Sequence, residues 1–142
     1  NSGCLRAFYT DANGDELTMY FAFMNWWTGD KTSFYTDAPS RFSVQALEDS
    51  EIFRADKEHW EEALDKIPAF EKWYSIKTRK SYEATQQKII DAQVETADQK
   101  YLKLIRTAPE IIQRIPQHYI ASYLGIKPQS LSRIRKNIHK EK

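Results

Sequence analysis

The first third of the chain has the pattern of paired β-strands. Residues 5–10 and 17–23 are rich in apolar and β-branched residues and flank a polar stretch that contains Asn13–Gly14. Such a pair adopts the positive φ angles of a tight turn, so we predict a hairpin. Residues 41–47 alternate polar and apolar, and we predict a second hairpin with residues 51–55 across the turn at 48–50. Residues 27–40, with Gly29 and Pro39, are predicted to be irregular or a short helix.

Beyond residue 55 the pattern changes to that of helices. Asp56 is a favourable N-cap for a helix over residues 57–66, and Pro68 suits the first turn of the next. No further Pro or Gly occurs before about Glu95, which predicts one long helix. A helix of this length in a short chain is predicted to pair with a second copy of itself. The dimer contacts would come from Trp73, Ile76, Tyr82, Ile89 and Ile90. Two shorter helices are predicted after it, one from the cap at 96–98 to residue 106 and one over residues 110–115.

The segment from Gln117 to Lys136 predicts a helix-turn-helix. Ala121 is small where two helices would cross closely, and Gly125 can adopt the left-handed conformation that ends the first helix. Pro128 fits the first turn of the second helix, where its missing N–H is not needed. Apolar residues at matching positions would hold the two helices together: Ile120, Leu124, Ile126, Leu131 and Ile134.

The charge of the chain is concentrated at this end. Residues 113–142 contain seven Lys and Arg but one acidic residue, a net charge of +6, whereas the remainder carries −5. On the outward side of the second helix, Gln129, Ser130 and Arg133 can hydrogen-bond to base edges, so we predict that they contact bases of double-stranded DNA. The predicted phosphate contacts are Tyr119, Ser122, Lys127, Arg135, Lys136 and Lys140. The alternative for the segment is an ordinary helical hairpin with a basic face.

Composition and side-chain chemistry restrict the other function classes. Hydrophobic residues make up 41% and charged residues 29%, as in ordinary globular proteins. A single cysteine, Cys4, allows no intramolecular disulfide, which favours the cytoplasm, and no apolar run is long enough to predict a membrane contact. The three histidines, His59, His118 and His139, lie outside the β-rich part. We therefore predict neither an enzyme nor a metal site.

The whole chain resembles the Crp/Fnr family of bacterial regulators. The residues that carry the resemblance are 3–6 (Gly-Cys-Leu-Arg), 27–30 (Trp-Thr-Gly-Asp), 39–41 (Pro-Ser-Arg), 46–50, 119–126 and 130–135. The resemblance implies an α+β fold. It consists of a partial β-roll of the cyclic-nucleotide-binding jelly-roll type over residues 1–67, a long dimerisation helix over 68–95, and a winged-helix-type DNA-binding domain over 96–142 with little or no C-terminal wing. Because family members carry further N-terminal strands, we expect an N-terminally truncated form.

The resemblance also indicates where an effector would bind. Gly29 matches the family's nucleotide site, but Asp30 stands where nucleotide-binding members have Glu. The position of their phosphate-binding Arg falls on Ser40, with Arg41 one residue later. A shift of one residue in a strand moves a side chain to the opposite face. We therefore expect a degenerate pocket, no response to cAMP and no bound cofactor.

These features together predict a cytoplasmic, homodimeric transcription regulator. It would read an inverted repeat in double-stranded DNA, and RNA polymerase is a further candidate partner. The alternative is a small-ligand sensor that signals through protein contacts and keeps a vestigial DNA-binding domain.

Overall fold

The computed structural model describes residues 3–140, with side chains described as far as Ile138. The described chain combines one small antiparallel sheet with seven helices, so the predicted α+β class is confirmed. It divides into two compact units: residues up to Ile52 together with those from Thr96 onward, and the segment Phe53–Glu95. The three predicted domain ranges stay a prediction.

The sheet contains three strands in the order β2-β1-β3, with β1 in the centre. β1 (Leu5–Thr10) pairs antiparallel with β2 (Glu16–Ala22) and with β3 (Ser43–Ala46). The register between β1 and β2 shifts by one residue after Ala7. The described part of the chain thus forms one sheet, and the complete β-roll and the wing stay predictions.

The first hairpin forms, but its turn differs from the tight turn predicted. Only Gly14 has a positive φ, of 87°, whereas Asn13 does not. The carboxylate of Asp11 accepts hydrogen bonds from the amides of Asn13 and Asp15, at 2.8 and 2.9 Å. This side chain stabilises the loop, and the prediction that Asn13 as well as Gly14 would have a positive φ was wrong.

The second predicted hairpin does not form. β3 pairs with β1, and residues 51–55 form no strand. Ile52 and Phe53 are 65% and 80% exposed. β3 is the outer strand of the sheet, but residues 51–55 do not pair with it. The predicted short helix between the hairpins is present as α1 (Lys31–Thr36).

The segment Phe53–Glu95 is a pair of helices, α2 (Lys57–Lys66) and α3 (Pro68–Val94). Asp56 caps α2 by accepting a hydrogen bond from the amide of His59, and Pro68 is the first residue of α3, both as predicted. Trp60 of α2 packs edge-on against the rings of Phe70 and Tyr74, with centroids 5.0 and 5.3 Å away. This aromatic contact stabilises the helical pair.

The remaining helices are α4 (Ala97–Thr107), α5 (Pro109–Arg114), α6 (Gln117–Leu124) and α7 (Pro128–Lys140). Thr96 and Gln99 form a capping box at the start of α4. One buried apolar cluster joins these helices to the sheet. Its members are Cys4, Phe21, Tyr101, Leu104, Ile111, Ile115, Ile120, Ala121, Leu124, Leu131 and Ile134.

Candidate nucleic-acid interface

α6 and α7 are joined by a short turn that the sequence determines closely. Gly125 ends α6 with φ of 71°, and its amide donates to the carbonyls of Ala121 and Ser122. The next amide, that of Ile126, donates to the carbonyl of Ala121 at 3.0 Å. These bonds satisfy the last carbonyls of α6 in the arrangement known as the Schellman motif. α7 then begins at Pro128, as predicted.

The inner faces of the two helices are buried against each other and against α4 and α5. Ala121 and Leu131 are both fully buried, at 0% exposure, and Ile134 is buried one turn further along α7. A small residue at position 121 allows the backbones to approach closely. Two short helices linked by a glycine turn and packed through these residues form a helix-turn-helix.

The outer face of α7 carries the predicted base contacts. Gln129 and Arg133 are exposed and lie four residues apart, so they share one side of the helix. Ser130 is half-buried, and its amide donates to the carbonyl of Lys127 at 3.0 Å. The structure therefore brings two long polar side chains together on the exposed side and places Ser130 at the edge of that face.

The six predicted phosphate contacts differ in their exposure to solvent. Lys127 and Lys136 are exposed and Arg135 is half-buried, whereas the side chain of Lys140 lies outside the described residues. Tyr119 and Ser122 are half-buried and contact the sheet. The hydroxyl of Ser122 donates to the carbonyl of Glu16 at 2.6 Å and accepts from the amide of Thr18 at 2.8 Å.

A buried arginine next to this contact was not singled out as a functional residue by the sequence patterns. Arg6 is 1% exposed, and its guanidinium lies between the rings of Phe8 and Tyr119, 4.1 and 3.8 Å from their centroids. Nη2 of Arg6 donates to Glu16 at 2.5 Å and to Gln45 at 2.8 Å. The available signal was its position on β1, two residues before Phe8 and so on the same strand face.

A second arginine connects the helices to the residues just before β1 and just after β3. Arg114 of α5 pairs with the carboxylate of Glu48 and donates to the carbonyl of Gly3 at 3.3 Å. The hydrogen bond and charge of Glu48 raise the pKa of Arg114 further above its ordinary value, so the guanidinium stays charged. Arg114 and Glu48 are 66 residues apart, so no local sequence pattern predicts that they pair.

No protein-family model and no curated protein matches the chain. Two of the crystal structures that match the chain each align with 99% of its length. The aligned region is 67% of the length of each matched protein. One, from Eubacterium rectale, is described as a transcriptional regulator of the Crp/Fnr family and has a TM-score of 0.70 at 15% identity. This chain has the Crp/Fnr fold. The other structure, the catabolite activator protein of Thermus thermophilus, has a TM-score of 0.50 at 22% identity.

These similarities confirm the predicted resemblance at the level of the fold. Both matched proteins are described as a regulator or an activator, and neither as an enzyme. None of the helices among the described residues is long and apolar enough to cross a membrane.

The predicted effector pocket of this Crp/Fnr fold lies at the start of α1. Asp30 caps α1 by accepting hydrogen bonds from the amides of Thr32 and Ser33. Its second oxygen accepts from the amide of Arg41 at 3.0 Å and from the hydroxyl of Ser40 at 3.4 Å. The structure therefore brings Asp30, Ser40 and Arg41 together, next to the exposed Gly29.

Asp30 carries a negative charge in this predicted pocket. The hydrogen bond from the Arg41 amide, and then those from Ser33 and Thr32, lower the pKa of Asp30. The carboxylate thus stays ionised and takes the backbone donors that an anionic ligand would need. Both oxygens of Asp30 are thus bonded within the protein, and the predicted degenerate pocket stays a prediction.

The predicted dimer residues lie on α3. Ile76, Tyr82, Ile89 and Ile90 are exposed, and Trp73 is half-buried and stacked on Phe70 with ring centroids 5.5 Å apart. An apolar series that is exposed along a 27-residue helix is unusual for a helix that works alone.

Candidate chemistry for catalysis or metal binding is sparse. Within the described residues, no group of three His, Cys, Asp or Glu could hold a metal ion. His59 pairs with Asp56, and His118 packs on the ring of Tyr119. His139 lies outside the described side chains. Burial raises the pKa of the Cys4 thiol to about 11, which disfavours the reactive thiolate.

Proposed function

We propose that this chain is a DNA-binding transcription regulator of the Crp/Fnr type. The observation that carries the proposal is the pair Gln129 and Arg133, exposed on one side of α7, while Leu131 and Ile134 anchor the opposite side in the core. A recognition helix needs this combination, since its polar side chains must reach base edges without loosening the fold. The regulator would work in the cytoplasm and without catalytic activity.

Gln129, Ser130 and Arg133 would read the base sequence in the major groove. The guanidinium of Arg133 can donate two hydrogen bonds to guanine, and the carboxamide of Gln129 can pair with adenine in the same bidentate way. Ser130, at the edge of the face, can donate to or accept from either base. The resulting operator would be set mainly by the two long side chains.

Basic residues around this face would hold the phosphates. Lys127 and Lys136 are exposed, Arg135 is half-buried and Lys140 belongs to the last turn of α7. Phosphate contacts supply the sequence-independent part of the affinity through counterion release. The net charge of +6 on residues 113–142 supports that role. Tyr119 and Ser122 would add further contacts if their face of α6 were turned to the DNA.

The regulator would act as a homodimer. Ile76, Tyr82, Ile89 and Ile90 expose apolar surface on α3, which a second copy of the helix can bury. Trp73 would extend this contact toward the start of α3. A two-fold dimer presents two recognition helices and therefore reads an inverted repeat with half-sites about one helical turn apart.

The effector of this regulator would not be a cyclic nucleotide. The position of the phosphate-binding Arg falls on Ser40, whose hydroxyl donates to Asp30, as does the amide of Arg41. RNA polymerase is a candidate partner at promoters, as for other regulators of this type.

Electrophoretic mobility of a duplex at 50 and 200 mM salt tests the proposed function. A reader with several phosphate contacts loses affinity steeply over this range. Lys127→Ala and Lys136→Ala should each reduce the slope of log affinity against log salt by about 1. The rival is a sensor that signals through protein contacts, and it is supported instead if no duplex binds even at the lower salt.

A further inference from the structure

α6 packs on the other helices with one face and on the sheet with another. Tyr119, Ser122 and Tyr123 lie three and four residues apart and so share a side of the helix. Tyr119 contacts Arg6, Ser122 bonds to β2, and the ring of Tyr123 lies 5.5 Å from that of Phe21. These three residues are called the docking face below.

Ser122 closes part of the open edge of the sheet. β2 is an outer strand, so its outward backbone groups have no neighbouring strand. The hydroxyl of Ser122 accepts from the amide of Thr18 and donates to the carbonyl of Glu16, which satisfies two of these groups at once. In this arrangement its single proton is already used, so it cannot donate to a phosphate.

The ring of Tyr119 is held in place by a cation. Its ring covers one face of the Arg6 guanidinium, and Phe8 covers the other. Glu16 and Gln45 fix the orientation of Arg6 through Nη2. A cation between two aromatic rings is a favourable contact when it is shielded from water, as it is here.

We propose that this docked position of α6 is an autoinhibited arrangement, in which Arg6 and the edge of β2 occupy two residues that would otherwise contact DNA phosphates. The inference rests on the proposed function, which assigns Tyr119 and Ser122 to the backbone of the duplex. Full DNA contact then requires the docking face to leave the sheet. The affinity for DNA is reduced by the fraction of molecules that remain docked.

Two features make the docked position reversible. Nε of Arg6 and Oγ1 of Thr18 are buried and have no hydrogen-bond partner among the described residues. Such atoms destabilise the arrangement that buries them and would be hydrated once α6 moves away. The acid that pairs with Arg6, Glu16, is exposed and stays well solvated in either position. These features lower the free-energy cost of releasing Arg6 and β2 from α6.

Substitution on the sheet side tests the proposal without altering any predicted DNA contact. Arg6→Met keeps an unbranched chain but removes the hydrogen bonds and the cation that hold Tyr119. We expect duplex affinity to rise roughly 3- to 10-fold, as the docked fraction falls. Loss of a positive charge would by itself lower affinity, so a rise is diagnostic. Arg54→Met removes the same charge from an exposed position outside this contact and serves as the control.

A neutral variant and an exchange measurement keep the test independent of folding. Gln45→Ala, at an exposed position, removes one of the two hydrogen bonds of Arg6 Nη2 without changing the charge and should raise affinity by a smaller factor. In the parent chain, hydrogen exchange at the Thr18 amide should become faster when a binding duplex is added. The Ala7 amide, in the central strand, should keep its protection.

The outcomes separate this inference from the proposed function. Duplex binding by the parent chain, with unchanged Thr18 exchange and no gain in either variant, overturns autoinhibition and leaves the regulator proposal intact. Absence of duplex binding by the parent and by both folded variants overturns the regulator proposal and autoinhibition with it.

Discussion

At the scale of single residues, Arg133 and Arg6 show how environment assigns opposite roles to the same side chain. Arg133 is exposed on α7 and can use its whole donor fork on a partner outside the protein. Arg6 is buried between two rings and spends its donors on Glu16 and Gln45. The first is suited to recognition, and the second to holding one element of the protein against another.

Arg133→Ala should weaken operator binding by about 1–3 kcal/mol and relax the preference at one base position. The reason is the loss of two hydrogen bonds to one base, with no change in the buried side of α7. Competition binding against operators substituted at each position measures both effects. Arg106→Ala, which removes an exposed Arg from α4, is the charge-matched control and should keep the base preference. Unchanged preference in Arg133→Ala would contradict the proposed register.

The sequence predicted the exposed position of Arg133, but it did not predict the contacts of Arg6. Arg133 belongs to a local pattern in which Leu131 and Ile134 mark the buried side, so its exposure follows from helix periodicity. The partners of Arg6 include Tyr119, which is distant in sequence and unrelated to any local repeat. Nearest-neighbour patterns carry no information about such a pairing. Similarly, the contact of Ser122 with β2 depends on how α6 docks on the sheet.

At the scale of elements, caps and turns determine most of the boundaries. Asp56, Pro68, Thr96 and Gly125 each satisfy or terminate a helix by chemistry that acts within a few residues, and each prediction based on them is confirmed. The strand predicted over residues 51–55 was wrong, because a strand forms only when it pairs with another segment, and the residue pattern alone does not determine that pairing. Elements defined locally are thus more predictable than elements defined by pairing.

Gly125→Ala should destabilise the helix-turn-helix by about 1 kcal/mol, since an L-residue is strained in the left-handed conformation. Space is not the cause, because a Cβ at this position would meet nothing within 4 Å. Gly125→Asn is the matched variant and should lose less, as Asn tolerates this conformation better. Thermal unfolding of the three proteins compares them, and equal stability of the Ala variant would contradict the strained turn.

The N-terminus of α2 should titrate as a coupled pair. The hydrogen bond and charge of Asp56 raise the pKa of His59 above its ordinary value of 6.5, and bonds to His59 lower the pKa of Asp56 below 3.8. The contribution of His59 is therefore complete below pH 6.5 and is lost as pH rises through its raised pKa. The contribution of Asp56 is present above pH 3.8 and is lost as pH falls through its lowered pKa.

NMR titration of His59 checks this behaviour. The parent chain should titrate above 6.5, and Asp56→Asn should return the midpoint toward that value. A midpoint that is the same in both proteins would contradict the pairing.

At the scale of the whole molecule, the chain combines an exposed apolar series with a basic end. The apolar residues of α3 call for a partner helix, and the net charge of +6 at residues 113–142 calls for an anionic surface. The proposed homodimer on DNA would satisfy both needs. The similarity to a Crp/Fnr-family regulator over 99% of the chain concerns the fold.

Charges placed on the dimer face of α3 should separate the copies. Tyr82 and Ile89 are seven residues apart and both exposed, so Tyr82→Glu with Ile89→Glu would place like charges on one stripe. Sedimentation should show a dimer for the parent chain and a monomer for the double variant. Ser81→Glu, at an exposed position on the side of α3 that none of the five predicted dimer residues occupies, is the control and should leave the dimer intact. A parent chain that sediments as a monomer would contradict the pairing.

The central claim is that α6 and α7 place Arg133 and Gln129 in a major groove. Selection of bound duplexes from a random pool, with the intact chain at low salt, tests it most directly. The expected result is an enriched two-fold-symmetric sequence that contains a guanine whose preference disappears in Arg133→Ala. Recovery of duplexes without any shared sequence, or of none at all, would contradict the claim.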